Sequence, residues 1–175
     1  MLLDPDRRIV RRILQFAPKG IYMKQKEIHI RLLPDPCAPP PDLNWLDIDR
    51  YAWVEVTSES ALLAEASRGW RAANPGIQRI RVVFHEPQKL RRIWMVFEDT
   101  ENIRTQQFLL RWCPGPGHSF RDIVRQEWSF SSGGSVREIE DYAVELFDVQ
   151  VLELLILPDK RDSQVRASLL SFRLA

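Results

Sequence analysis

Three histidines, two cysteines and a few clustered acids are the groups available to this chain for covalent or acid–base chemistry. Catalysis requires such groups to converge, with one tuned by its neighbour. His29 alternates with apolar residues, His85 follows Phe84 at the end of an apolar run, and His118 stands in a Gly-Pro segment. None lies at a recognised metal spacing from another His or a Cys. Cys113 and His118 are separated by Pro-Gly-Pro-Gly, which gives no geometric reason for a nucleophile–base pair. A loop thiol and a surface imidazole are the expectation. Glu98, Asp99 and Glu101 offer hard oxygen ligands for a calcium ion or, more simply, a solvated hairpin tip, and Glu138, Glu140 and Asp141 invite the same two readings. The chain has no Gly-x-Ser-x-Gly, no phosphate loop and no glycine fingerprint opening a helix. No enzyme is expected, and neither a cofactor nor a metal.

Recognition chemistry is better supplied. A sugar site needs a flat aromatic face flanked by polar side chains that reach hydroxyl groups. The best local concentration is Arg68-Gly-Trp70-Arg71-Ala-Ala-Asn74. Trp70 follows a glycine and precedes a turn by four residues, so its indole either plugs the end of a barrel or stands exposed. Arg71 and Asn74 join a binding site only in the second case. Arg104, Gln106, Trp112 and His118 form another group around one long hairpin. Arg104 has alternatives there, in backbone carbonyls or in Glu98 and Glu101.

Strands must position these residues. Tyr51 to Val56, Ile80 to Phe84, Ile93 to Phe97, Gln107 to Trp112, Arg125 to Phe130, Tyr142 to Phe147 and Val151 to Leu157 are short, apolar-rich segments. Asn74-Pro75-Gly76, the Pro-Gly run after Cys113 and Ser131 to Gly134 mark turns between them. Asp148-Val149-Gln150 reads as a hairpin joining its two flanking strands. The second of those, VLELLIL, is almost continuously apolar and belongs at the centre of a sheet. Ser58 to Ser67 reads as a short helical turn with serine caps, and Val165 to Leu174 closes the chain. A parallel α/β fold needs long crossover helices, and almost none is written here.

The chain has 175 residues, with 25 Lys and Arg against 24 Asp and Glu, 45% hydrophobic and 28% charged. That length holds one domain with an attachment and a sizeable core. Near-neutral charge argues against a domain built around nucleic acid. No apolar run is long enough for a membrane span, and MLLDPDRR is unlike a secretory leader. Cys37 and Cys113 make no disulfide framework. A cytoplasmic monomer is the default. Residues 1–31 nevertheless carry eight basic residues against three acids, a net of +5. Within them Ile9, Val10, Ile13, Leu14 and Ala17 recur at helical spacing beside Arg8, Arg11 and Arg12, predicting a short basic amphipathic helix. A strand over residues 21–33 and five prolines between Pro34 and Pro41 follow it. The domain boundary is placed there: residues 1–42 as helix, strand and Pro-rich strap packed on the main domain, residues 43–175 as a β-sandwich.

From about Trp53 to Ala175 the sequence resembles the discoidin, or coagulation factor 5/8 type C, domains of the galactose-binding-like superfamily. The residues that carry the likeness are Trp70 before its turn, the pair of strands in IRVVFHEPQKLRRIWMVF, then RTQQFLLRW, RQEWSF, LELLILPD and the closing ASLLSFRLA. The resemblance implies an all-β jelly-roll sandwich of about eight strands, non-catalytic, with ligands taken by loops at one end. Relatives bind sugars, lipid headgroups or proteins. It therefore implies a carbohydrate-binding module, with Trp70, Arg71, Asn74, Arg104, Trp112 and His118 as candidate contacts. The alternative is a protein-interaction or structural module without a small-molecule ligand. One further expectation comes from alternation. Trp94 and Val96 face opposite to Ile93, Met95 and Phe97, so Trp94 is either solvent-facing or covered by another element, for which the N-terminal helix is the obvious cover.

Overall fold

A computed structural model describes residues 39–41, 43–59, 69–100, 102–131 and 134–175. The expected N-terminal helix and strand, the helical turn after Ser58, Cys37, His29 and the 42/43 boundary lie outside these residues. Those described form antiparallel strands with a single four-residue helix, α1 (Ile48–Tyr51). The strands are β1 (Ala52–Val56), β2 (Trp70–Arg71), β3 (Gln78–Glu98), β4 (Arg104–Cys113), β5 (Arg121–Phe130), β6 (Arg137–Leu157), β7 (Ser168–Leu169) and β8 (Ser171–Leu174).

Two of these strands run to 21 residues, and they explain the architecture. β3 and β6 pair along both halves, Gln78–Val83 with Val151–Ile156 and Arg92–Glu98 with Arg137–Ala143. Between the halves the register slips at Val83/Gln88, Gln88/Leu90 and Leu90/Arg92. Bulges of this kind bend a ribbon without ending it. The bend is large. Phe108 pairs with Ile156, which pairs with Gln78, whereas Phe97 lies nineteen positions further along β3, about 60 Å away if the strand were straight. Yet the Phe97 and Phe108 rings stack with centroids 5.2 Å apart. The ribbon must therefore double back, so that its two halves belong to facing layers. One layer runs β1, first half of β3, second half of β6, β4, β5. The other runs β8, second half of β3, first half of β6.

The all-β expectation holds, and VLELLIL is indeed central, flanked by β3 and β4. Two local expectations need correction. The chain does not reverse at Asp148-Val149-Gln150: Tyr142–Phe147 and Val151–Leu157 are one strand, with Asp148 at φ 57° where the register slips. His85 to Leu90 likewise belongs to one continuous β3 rather than to a connection between two strands.

Between the layers Ile80, Val82, Phe84, Ile93, Met95, Phe97, Phe108, Leu110, Leu152, Leu154 and Ile156 form one buried cluster, as period-two alternation requires. Trp94 and Val96 face the other way and are also buried, beneath Trp45 and Leu170. Trp94 is thus covered by another element, supplied among the described residues by the chain just ahead of α1. Trp45 is fixed there by its indole N–H, which donates to the Pro40 carbonyl at 3.0 Å.

Candidate functional site

The doubled ribbon gives the sandwich two unlike ends. At the bend lie the β4–β5 turn and Ala175, whose carbonyl accepts from the Arg91 and Arg92 amides. At the other end the strands are joined by the longer connections, of which residues 57–59, 69–77, 99–100, 102–103, 131, 134–136 and 158–167 are described. Loops gathered at one end of a rigid scaffold are where binding groups are best placed.

Trp70 and Asn74 stand at the loop end. Trp70 is half-buried against the core, and its indole N–H donates to the Ser58 carbonyl at 3.1 Å. Ser58 Oγ sits 2.7 Å from Gln78 Oε1 and accepts the Asn74 amide at 3.2 Å, while Gln78 Nε2 donates to the Asn74 carbonyl at 3.1 Å. Trp70 therefore closes the sandwich while remaining only partly buried, and Asn74 is held by its backbone with the residue itself exposed. Gly69, at φ +80°, permits this docking: a Cβ there would stand 2.4 Å from the Leu169 carbonyl oxygen. Arg71, half-buried, pairs in register with Ser168, whose hydroxyl donates to the Glu98 carbonyl.

Arg104 lies at this same end, deep inside. It is 3% exposed, with Nε 2.5 Å from Asp99 Oδ2, one amino group donating to Gln106 and to the Pro158 carbonyl, and its plane over the Phe130 ring. Of the partners expected for it, a backbone carbonyl is found, and Asp99 takes the place of Glu98 or Glu101. Glu98 pairs with Arg137 instead, and Asp99 also accepts from Asn102, so the acids read as a calcium cluster are held by arginines and an amide. Glu101 lies outside the described residues. Among the described residues no three His, Cys, Asp or Glu side chains converge as metal ligands.

Trp112 and His118 stand at the bend. Trp112 is half-buried against the core with the Arg121 guanidinium 5.2 Å over its ring, and His118 is exposed in the turn after Cys113. Arg104 and Trp112 are eight residues apart on β4, about 26 Å, so the group read around one hairpin divides between the two ends. Cys113 is buried as the last residue of β4, with its thiol directed to the Gly115 carbonyl, so the expected loop thiol is a strand residue, whereas His118 is exposed as a surface imidazole.

Two features escaped the sequence reading. Glu153, in the middle of VLELLIL, is fully buried on the outer face of the five-stranded layer. Its oxygens lie 2.5 Å from Arg81 Nε and 2.5 Å from Arg111 Nη2, each arginine being its direct cross-strand neighbour. Phe120 covers both guanidinium groups, at 5.7 and 4.6 Å. With Glu55 opposite Arg81 and Asp122 opposite Arg111, charge alternates across all five strands. A lone acid within an apolar run was the available signal. The other feature is Trp53, 47% exposed on β1 and next to this row, with its N–H on Glu55 at 3.2 Å and its ring 5.4 Å from that of His85.

No protein-family profile matches the sequence, and no curated protein matches it either. Solved structures do. The CBM32 of AlyQ, in complex with 4,5-unsaturated mannuronic acid, is 15% identical with a TM-score of 0.50, over 76% of this chain and 98% of that one. CpGH89CBM32-5 from Clostridium perfringens, in complex with GalNAc-β-1,3-galactose, is 14% identical with a TM-score of 0.50, over 75% and 99%. CBM32-3 from a family 31 glycoside hydrolase of Clostridium perfringens is 12% identical with a TM-score of 0.51, over 74% and 93%. At such identities the likeness is one of fold, the β-sandwich that these CBM32 modules share.

Proposed function

We propose that this protein is a non-catalytic carbohydrate-binding module of jelly-roll form that takes its glycan at the loop end of the sandwich. The observation that carries the reading is that its β-sandwich matches nearly the whole length of CBM32 modules solved with sugars bound. Fold alone does not transmit function, so the residues must supply the chemistry. At the loop end they do. Trp70 is only partly buried while its N–H is anchored on Ser58, which fixes the indole plane before any ligand arrives. Asn74 is exposed four residues on, and Arg71 follows Trp70 directly. An immobilised aromatic face with an amide and a guanidinium beside it suits a pyranose ring, whose carbons are apolar and whose rim is hydroxylated. Trp112 and His118, at the opposite end, are not part of this site.

The test is a glycan array on the full chain, with a folded Trp70→Ala variant in parallel. Saturable binding that the variant loses is the expected result. Binding that survives the substitution places the site elsewhere, and a blank array rejects the carbohydrate reading.

A further inference from the structure

Among the described residues Trp53 is the one tryptophan exposed by more than a third, and no loop carries it. It projects from the outer face of the five-stranded layer, where Val83, its cross-strand partner, and Arg81, the partner of Glu55, also face outward. A large exposed indole in a monomer is informative when its surroundings are organised. Here they are. The N–H donates to Glu55 Oε1 at 3.2 Å, a contact in the ring plane that sets the orientation and leaves the faces clear of hydrogen bonding. The His85 ring lies 5.4 Å away at 43°, limiting rotation from one side. Arg81 is held beside them by the buried Glu153 carboxylate and retains 29% exposure of its side chain. Rigid β-strands carry every one of these groups, so little ordering entropy is left for a ligand to supply.

We propose that Trp53 is a second carbohydrate-contacting platform, on the sheet face, with the apolar side of a pyranose ring stacked on the indole and Glu55, His85 and Arg81 bonding its hydroxyls. The inference rests on the carbohydrate reading above but concerns a different surface. Trp53 is five residues from Ser58, the anchor of Trp70, at most about 17 Å along the extended chain through the end of β1. The polar flanks select this occupant over an apolar protein surface. A protein partner seated on the indole would bury the Glu55 carboxylate and the His85 ring, whereas sugar hydroxyls satisfy both.

The experiment measures binding of the full chain to immobilised galactosides, N-acetylgalactosaminides and uronates, for wild type, Trp53→Ala and Trp53→Phe. Both substitutions are at a solvent-exposed position, and matching thermal melts verify folding. The expected result is a loss of about tenfold or more in affinity for at least one glycan in Trp53→Ala, with Trp53→Phe retaining most of it. In a nitrogen-15 spectrum the Trp53 indole resonance should move as that glycan is added. Glycan binding that is unchanged in Trp53→Ala, with a stationary indole signal, overturns the platform and leaves the loop-end site standing. A blank panel for wild type overturns both.

Discussion

Glu138 and Glu140 stand two positions apart on β6, opposite Phe97 and Met95, and so face inward. Tyr142, the next residue on that face, donates its hydroxyl to Glu140. Desolvation, reinforced by a hydrogen bond to Glu140 and by its charge, pushes the Glu138 carboxyl up to about 9. Folded protein thus holds a proton that the unfolded chain releases near the ordinary glutamate value of about 4.3. Between those two values folding requires proton uptake, so the stabilising proton is fully present below the lower one and stability falls as pH rises towards the upper. Thermal melts from pH 5.5 to 8.5 should show that decline, and Glu138→Gln should flatten it while raising the melting temperature at the alkaline end. Asp141, held low by its hydrogen bonds to Arg92, works in the opposite sense and in a separate window, losing its contribution only as pH falls below the carboxylate range. A wild-type profile that does not fall above pH 6 would remove the proton from Glu138.

The strand that carries these acids also carries Glu153, and there exposure decides the energetics. Glu153 is fully buried, while Arg81 and Arg111 keep 29% and 30% of their side-chain exposure. Removing the acid frees two guanidinium groups that already reach water. Removing both arginines strands a carboxylate that cannot, at about 3–5 kcal/mol. In urea titrations, then, Arg81→Met with Arg111→Met should destabilise the protein far more than Glu153→Leu, and equal losses would show that burial is not the cause. Elements of this kind were only partly legible in the sequence. Alternation in IRVVF and IWMVF marked the core faces and left the opposite-facing Trp94 either open to solvent or covered, and Trp45 and Leu170 cover it. What failed was the Asp148-Val149-Gln150 break. A polar interruption between apolar segments reads alike whether the chain reverses or bends, and only the pairing of both segments with β3 distinguishes them. Trp70 was visible as an aromatic before a turn, but its anchor at Ser58 is twelve residues away and no local pattern announces it. Trp53 lay inside YAWVEV, where alternation assigns a face but cannot tell an open edge from a core.

At the scale of the whole sandwich, the two layers are not separable units. β3 and β6 each pass through both, so a fault in one layer is carried along the same two chains into the other. Leu154 is fully buried in the second half of β6, between Ile80 and Leu110. A Leu154→Asp substitution puts a charge there without a partner, a mechanism that reaches losses above about 4 kcal/mol. Its effect should be global. Amides of β8, which pairs only in the far layer, should lose hydrogen-exchange protection together with those of β4. Protection kept in β8 alone would show that the layers melt independently. No helix among the described residues is long and apolar enough to cross a membrane.

The shared ribbon also governs the order of assembly. Gln78 finds its partner only at Ile156, and β4 and β5 join the first half of β3 only through β6, whereas β1 pairs with β3 directly. During synthesis the first half of β3 therefore waits for its β6 neighbour through the translation of nearly eighty further residues, whereas the β4–β5 hairpin closes at once across its short turn. Distant pairings pay loop closure before any reward, which makes the ribbon the slow step of folding and the nascent β3 the segment most in need of shielding by chaperones.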